Sequence, residues 1–354
     1  MDVFTSITLN YLPKARVLAS SLKKFHPDWM FYVVISDKLD PRYNWKETIN
    51  LDEEPFDEII WAEELGIADF DSWLFKHSVV EISTAVKGPT FQKFAEEKPG
   101  KLLYLDPDIA VFNDLSFLEE KLDDSAILLT PHLLSPQIDR RAILDNEINS
   151  ALLHGVFNLG FLAVNSEKSE GYNFSHWWAD RLIHYCYDDK ENGLFTDQKW
   201  CDLVPCFFDD YYVIRDPGYN VASWNLSLRN IKINDSGTIF INDKYPLKFY
   251  HFTGFDSGAG HLMTQVYSQG NIVVDEIWAW YRRQLTAFQQ EEAFSMKWFY
   301  DYYTDGEKIP REARILYRRR YDLETAFPHP FDAQTGDGGY QAWYRREVLA
   351  APYK

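Results

Sequence analysis

The strongest constraint on the fold of this chain is the alternation of short β-rich runs with stretches of helical periodicity. Residues 3–9 form a β-rich run, residues 14–25 repeat apolar side chains at helical spacing, and residues 31–35 form a second apolar run. This order predicts a β-α-β unit with parallel strands. Asp37 lies just past the carboxyl end of the second strand, at the edge where open α/β sheets bind their ligands.

The same alternation continues to about residue 262. Further strands are predicted at 101–105, 126–129, 157–164, 238–241 and 247–252. Helices are predicted at 71–95, with an interruption at Gly88 and Pro89, and at 137–148, 168–187 and 196–203. The pattern therefore predicts an α/β fold with a mostly parallel sheet and helices on both faces.

Beyond residue 262 the sequence changes to helical runs rich in Trp, Tyr and Arg. We therefore predict two units, an α/β domain at 1–262 and a mainly helical extension at 263–354. Trp278, Trp280 and Trp298 could contact an acceptor substrate or lie against a membrane surface, but packing against the α/β domain is the favoured interpretation. The last twenty residues are predicted to form a loosely held tail.

Composition excludes one class of partner and permits another. The formal net charge is -18, whereas a nucleic-acid surface needs clustered basic residues, so no nucleic-acid partner is expected. A mononucleotide is compatible with this charge, because a metal ion held by carboxylates supplies local positive charge. The sequence gives no indication of the oligomeric state.

Three features of the sequence bear on the compartment. The chain has three cysteines without CxxC spacing, which is typical of free thiols in a reducing environment. No signal peptide precedes the first predicted strand, and no apolar run of about 20 residues occurs. We therefore expect a cytoplasmic protein, with room for peripheral contact at the inner membrane face.

Two carboxylates separated by one proline are the chief candidates for chemistry. Asp106 and Asp108 flank Pro107 between two apolar runs, and in extended backbone both side chains project to the same face. Proline also keeps the preceding residue out of the helical region. Converging carboxylates repel each other unless a cation lies between them, which points to a hard divalent ion with oxygen ligands. The alternative is a solvated Asp-Pro-Asp turn.

The run from Tyr104 to Ile109 resembles the DxD motif of GT-A glycosyltransferases, and in particular of glycosyltransferase family 8, the family of glycogenin and bacterial lipopolysaccharide galactosyltransferases. Five further segments are similar to motifs of this family in the same order along the chain. They are 8–12 (TLNYL), 81–87 (EISTAVK), 157–161 (FNLGF), 196–198 (TDQ) and 251–254 (HFTG). The resemblance covers residues 1–262.

The resemblance implies a GT-A type, Rossmann-like mixed sheet and a hexosyltransferase that uses Mn²⁺ or Mg²⁺. It implies transfer of a sugar, with retention of configuration, from a nucleotide-sugar donor such as a UDP-sugar to a glycan or lipid-linked glycan acceptor. The implied metal ligands are Asp106, Asp108 and His251, and the implied catalytic residues are Asp197 and Gln198. The implied donor-binding residues are Thr8, Asn10, Tyr11, Asp37, Lys87, Asp106, Asn158, Gly160 and Gly254.

One departure from the family pattern concerns the donor's diphosphate. The family usually has a lysine after the late histidine motif, and residues 255–260 contain none. Lys87, Lys248, or backbone N–H groups of Gly258 and Gly260 could take its place. The gap also keeps open a carbohydrate-binding protein without turnover. A sugar-nucleotide pyrophosphorylase is a further alternative, although residues 5–12 lack the glycine-rich basic loop that it needs.

Several site residues also have a structural interpretation. Asn10 could cap the first helix, and Asn158 with Gly160 could mark a β-bulge. Asp197 could be a charge at a helix N-terminus, and His251 could be a core histidine.

Overall fold

The computed structural model describes residues 1–39, 49–288, 297–333 and 338–349. At its centre is a seven-stranded sheet. The strands, in spatial order, are β10 (Tyr211–Val213), β6 (Ile127–Pro131), β7 (Phe157–Asn165), β4 (Lys101–Leu105), β1 (Asp2–Ile7), β2 (Met30–Ile35) and β3 (Glu58–Trp61). All neighbours pair in parallel except β7, which is antiparallel to both β4 and β6. The predicted mostly parallel sheet is therefore confirmed, with one reversed strand.

Three smaller sheets accompany the central one. Their strands are β11 (Val221–Ala222), β15 (Phe249–His251) and β5 (Ile109–Val111) in the first, β12 (Ile231–Ile233), β13 (Ile239–Ile241) and β14 (Tyr245–Pro246) in the second, and β8 (Asp188–Asp189) and β9 (Leu194–Phe195) in the third. The strands predicted at 238–241 and 247–252 therefore exist in shortened form, but they lie outside the central sheet.

Helices precede, separate and follow the strands. They are α1 (Leu12–Lys23), α2 (Phe70–Phe75), α3 (Val79–Ala85), α4 (Lys87–Glu97), α5 (Ser116–Asp124), α6 (Arg140–Ala142), α7 (Ser169–Tyr185), α8 (Val204–Phe207), α9 (Ala259–Tyr267), α10 (Ile272–Ala287), α11 (Arg311–Arg319), α12 (Tyr321–Ala326) and α13 (Tyr340–Tyr344). The predicted helix at 137–148 is a short α-turn continued by a π-helix, Ile143–Leu152, and the one at 196–203 is a 3₁₀-helix, Lys199–Leu203. No helix in the described part of the chain has both the length and the apolar character needed to cross a membrane.

Side chains of the central strands alternate between two apolar clusters. Phe4 and Tyr104 belong to one cluster, whereas their chain neighbours Val3 and Leu103 belong to the other. Because successive side chains of a strand point to opposite faces, the two clusters lie on the two faces of the sheet. Helices α2, α3, α4 and α7 contribute to the first cluster, and α1 and α5 contribute to the second. The predicted α/β fold, a mixed sheet flanked by helices, is thus confirmed.

The predicted interruption at Gly88 and Pro89 is wrong in position. The single stretch predicted at 71–95 is three helices, and the last break falls at Val86, so both residues lie in the first turn of α4. Proline fits there because the first turn has no intrahelical partner for its missing N–H. A Cβ on Gly88 would lie 2.8 Å from the Cα of Ala179, so glycine allows α4 to approach α7 closely.

The C-terminal segments share the core of the α/β part. Trp298, Tyr317 and Tyr340 belong to the first cluster, and the indole N–H of Trp298 donates to the carbonyl of Ser36 at 2.9 Å. Packing of the extension's aromatic rings is therefore confirmed. The loosely held tail is wrong for α13, because Tyr340 is fully buried; residues 334–337 and 350–354 lie outside the described residues. Helix α9 runs through residue 262, and the two-domain division stays a prediction.

Candidate active site

Asp106 and Asp108 lie in the turn that joins β4 to β5. The N–H of Ile109 donates to the carbonyl of Asp106 at 3.0 Å, which closes a four-residue turn. The expectation that the two carboxylates converge along extended backbone is therefore wrong, because they converge across a hydrogen-bonded turn. Pro107 suits its place, since its fixed φ is the one required at the second position of a common β-turn.

His251 reaches this turn because β15 pairs with β5. The pairing is antiparallel and places His251 opposite Ile109, one residue beyond Asp108. The next residue, Phe252, donates its N–H to the carbonyl of Asp108 at 2.8 Å. A pairing between segments about 140 residues apart thus fixes the imidazole beside the two carboxylates, at the end of β4 where an α/β sheet places its ligands.

The three side chains form a compact cluster. His251 Nε2 lies 3.1 Å from an oxygen of Asp108 and 3.5 Å from one of Asp106, and one ligand atom from each residue lies within 4.8 Å of the others. Burial alone would lower the pKa of His251, but the charges and hydrogen bond of the aspartates outweigh it and raise that pKa. Burial likewise favours the neutral form of Asp108, yet His251 holds the pKa of Asp108 below its usual value. The two carboxylates therefore favour positive charge at this position, as the direction of the His251 pKa shift indicates.

Two residues determine the position of the His251 imidazole. Asn220 lies 3.3 Å from Nδ1 through its side-chain oxygen, which leaves Nε2 for the aspartates. Gly160 makes room for the ring, because a Cβ there would lie 2.4 Å from Cε1 of His251. Sequence reasoning gave Gly160 a donor-binding role and missed Asn220. No local signal marks Asn220 as a histidine partner.

Lys87 connects the cluster to a third carboxylate. Its ammonium lies 2.8 Å from Asp197, 3.2 Å from Asp106 and 3.0 Å from the carbonyl of Leu159, and it stands over the ring of Tyr104 at 4.2 Å. Burial by itself lowers the pKa of Lys87, but Asp106 and Asp197 dominate and hold that pKa well above its usual value. Lys87 is thus a charged, fully engaged bridge between two carboxylates.

The two predicted catalytic residues, Asp197 and Gln198, lie next to Lys87. Asp197 is buried, which raises its pKa against the opposing effect of Lys87, and its second oxygen accepts from the Thr196 hydroxyl at 3.0 Å. The amide of Gln198 accepts from the N–H of Leu159 at 3.1 Å and donates to the carbonyl of His154 at 3.0 Å. Both residues are therefore held rigidly, and their catalytic roles stay predictions.

Asn158 has both a structural and a site-facing role. The β6–β7 register shifts between Leu129 and Pro131, opposite the stretch that contains Asn158 and Gly160, so the predicted bulge or irregularity is present. The Asn158 side-chain oxygen accepts from Gly160 N at 3.2 Å and from the Asn220 amide at 2.9 Å. Asn158 thereby orients the residue that holds His251.

Thr8, Asn10 and Asp37 gather at the carboxyl ends of β1 and β2. The hydroxyl of Thr8 donates to the Asn10 side chain at 2.6 Å, and Asn10 does not cap α1, whose N-cap is Tyr11. Asp37 accepts the backbone N–H groups of Leu9, Lys38 and Phe299 at 2.9–3.2 Å. Burial raises the pKa of Asp37 to about 6 despite these bonds. Asp37 thus ties both strand ends to the C-terminal part.

The outer rim of the site contains a lysine that sequence reasoning missed. Lys14, in the first turn of α1, lies 2.5 Å from Asp256, and the hydroxyl of Tyr11 donates to the same oxygen at 2.6 Å. Asp256 follows Gly254, whose φ of +67° and contact with Gly260 close the loop after His251. The spacing of Tyr11 and Lys14 places both on one helix face beside the predicted nucleotide-binding segment, but it does not identify Asp256 as their partner.

The phosphate-binding substitutes proposed from the sequence are not available as expected. Lys248 donates to the carbonyl of Asp114 at 2.8 Å. The N–H of Gly258 donates to the carbonyl of Phe255 at 3.3 Å, and that of Gly260 donates to Gly254 at 3.1 Å. These glycine N–H groups close the loop and do not form a phosphate nest.

Comparison with known proteins gives distant similarities. No family model matches the chain. The uncharacterized proteins YfnF and YfnD of Bacillus subtilis (strain 168) are 29% and 30% identical over 156 and 155 residues, which cover 44% and 43% of this chain. The matches span 50% and 46% of those two proteins. The chain therefore matches about half the length of these curated relatives.

Solved structures with a similar arrangement include three glycosyltransferases. Galactosyltransferase LgtC in complex with donor and acceptor sugar analogs has 19% identity and a TM-score of 0.39, covering 62% of this chain and 75% of that one. The glycosyltransferase GlyE of Streptococcus pneumoniae TIGR4 has 19% identity and a TM-score of 0.44, and the match covers 81% of this chain and 62% of that one. Mouse xyloside xylosyltransferase 1 has 15% identity and a TM-score of 0.42, and the match covers 72% of this chain and 98% of that one. At these scores the likeness carries no argument about this chain.

Proposed function

We propose that this chain is a metal-dependent glycosyltransferase of the GT-A type, resembling family 8 and transferring a hexosyl group. The observation that carries the proposal is the convergence of Asp106, Asp108 and His251 beside the Lys87–Asp197 pair. The donor is a nucleotide sugar, with a UDP-sugar as the first choice, and the acceptor is a hydroxyl of a glycan or lipid-linked glycan. The proposed setting is the cytoplasm or the inner membrane face.

The donor set fits a divalent ion such as Mn²⁺ or Mg²⁺. Two carboxylates and one imidazole nitrogen supply three ligand atoms, and the second nitrogen of His251 faces Asn220, as is usual for a metal-binding histidine. Asp106 has its other oxygen bonded to Tyr104 and Lys87, so one oxygen stays directed at His251. When bound, the ion would act as a Lewis acid that stabilises charge on the departing diphosphate.

The remaining site residues position the donor. Lys87 keeps Asp106 and Asp197 at fixed positions and offsets part of their negative charge. Asp197 accepts one bond from Lys87 and one from Thr196, which leaves acceptor capacity for a sugar hydroxyl. The amide nitrogen of Gln198 donates one bond to His154, which leaves its second N–H for a sugar hydroxyl. Thr8, Asn10 and Tyr11 lie at the sheet edge where the nucleoside is proposed to bind.

A direct test combines binding and product analysis. The protein is screened by thermal shift with a set of sugar nucleotides, with and without Mn²⁺, because a ligand of the native state raises the melting temperature. We expect stabilisation by at least one sugar nucleotide only with Mn²⁺, followed by release of the free sugar and the nucleoside diphosphate. Formation of a sugar 1-phosphate and a nucleoside triphosphate upon adding pyrophosphate would identify a pyrophosphorylase and overturn the transferase proposal.

A further inference from the structure

Lys14 is a buried cation with an exposed partner. Its side chain is 8% exposed, whereas its carboxylate partner Asp256 is 54% exposed and lies in the loop after His251. Burial of an ammonium group is costly unless it is paired, so Lys14 needs an anion at this position. The present anion belongs to an exposed side chain, which can turn into solvent when another anion takes its place at Lys14.

The surroundings of Lys14 connect it to the proposed metal site. The partner of Lys14, Asp256, lies in the loop that follows His251, and Tyr11 of the predicted nucleotide segment donates to the same Asp256 oxygen at 2.6 Å. A cavity of about 450 Å³ opens beside Lys14 and is also lined by Asn10, Tyr11 and Arg282. The cavity therefore adjoins the predicted nucleotide segment and contains two cationic side chains.

Charge balance favours a second cation at the site when a donor binds. Asp106, Asp108 and Asp197 carry three negative charges, and Lys87 offsets one of them. A divalent ion balances the other two, so the two negative charges of a nucleotide-sugar diphosphate are left uncompensated. Lys87 has three acceptors already, whereas the ion-pair partner of Lys14 is the exposed carboxylate of Asp256.

We propose that Lys14 binds the diphosphate of the donor and that Asp256 occupies this position in the donor-free protein as an internal substitute for phosphate. This inference rests on the proposed function and adds the residue that replaces the absent late lysine. Donor binding then exchanges one anion for another at Lys14, and the carboxylate of Asp256 turns into solvent. Tyr11, which donates to the same carboxylate oxygen, is released at the same step.

The exchange predicts opposite effects from the two partners. UDP is titrated calorimetrically in the presence of Mn²⁺ into the wild type, Lys14→Met and Asp256→Asn. We expect Lys14→Met to weaken UDP binding about tenfold or more, since a hydrogen bond to a charged group is lost. Asp256→Asn should tighten UDP binding about two- to fivefold, because the competing anion is removed. Mn²⁺ binding without UDP should not be weakened in either variant.

The outcomes separate this inference from the proposed function. Equal weakening of UDP binding by both substitutions would mean that the ion pair only supports the fold. Unchanged UDP affinity in both variants would mean that Lys14 does not contact the diphosphate. Either result overturns the inference and leaves the metal-site proposal intact. Asp256→Asn changes an exposed side chain, so its reading does not depend on tolerance of a buried substitution. Failure of the wild type to bind UDP or any other nucleoside diphosphate with Mn²⁺ would overturn both proposals.

Discussion

The inner site and its outer rim are built on different principles. Around Lys87, Asp106 and His251 the side chains are buried or partly buried, and several elements hold each one by two or more bonds. At the rim, Lys14 and Tyr11 share one oxygen of the exposed Asp256. Under the proposed function, this difference corresponds to a preorganised metal-binding centre and a rim that rearranges when the donor binds.

The largest expected effect lies in the inner site. Lys87→Met removes the bridge between Asp106 and Asp197 and leaves Asp197 buried without its cation, so we expect a loss of about 3–5 kcal/mol in the free energy of unfolding. Urea denaturation followed by tryptophan fluorescence measures this loss. Lys93→Met on the same helix is the matched control, because Lys93 pairs with the exposed Glu97, and its expected loss is about 0.5 kcal/mol or less. Similar losses in both variants would break the contrast.

Gly160→Ala sharpens the claim that the centre is preorganised. The added Cβ would lie 2.4 Å from His251 Cε1, so the ring must move. We expect Mn²⁺ affinity to fall about 10- to 100-fold, the range found when residues that orient a metal ligand are changed. Calorimetric titration with Mn²⁺ measures it. Gly100→Ala is the control, since its nearest new contact would be at 4.0 Å. Unchanged affinity in Gly160→Ala would show that His251 does not need its present position.

The smallest effect concerns pH. Burial lowers the pKa of His251, but the aspartates outweigh it and raise that pKa above the value in the unfolded chain. In the metal-free protein the resulting stabilisation is complete below the unfolded pKa and disappears as pH rises through the folded pKa. Mn²⁺ competes with this proton, so its affinity should rise up to about tenfold per pH unit below the folded pKa.

Thermal shifts caused by Mn²⁺ should therefore be larger near pH 8 than near pH 6. His251→Asn should lose this pH dependence, because asparagine does not titrate. A Mn²⁺-induced thermal shift that is equal at both pH values in the wild type would show that His251 does not bind the ion.

The fold was predictable where the signal is local. The boundaries of β1, α1 and β2 were predicted to within about two residues, since apolar periodicity within ten residues determines them. The reversal of β7 and the placement of β15 beside β5 were not predictable, because an apolar strand looks alike in either direction and its partner lies far along the chain. Gly88 shows the same limit, since its role depends on contact with Ala179 of another helix.

The candidate site divides in the same way. Asp106, Asp108 and His251 could be named from motif resemblance, and the structure brings them together. Asn220 and the Lys14–Asp256 pair could not, because their contacts span 31 and 242 residues and arise only from strand pairing and loop closure. The carboxylate turn was assigned to the right residues with the wrong backbone, since one proline fits both an extended segment and a turn.

The most direct test of the account is a Mn²⁺ titration followed by electron paramagnetic resonance. The intensity of the free Mn²⁺ signal is measured, and it falls in proportion to the amount of ion bound. The account predicts one bound Mn²⁺ per wild-type chain and none in Asp108→Asn over the same concentrations. Asp235→Asn, which changes an exposed carboxylate in a hairpin turn, should behave as the wild type. Equal Mn²⁺ binding by Asp108→Asn and the wild type would contradict the assignment of Asp106, Asp108 and His251 as the metal site.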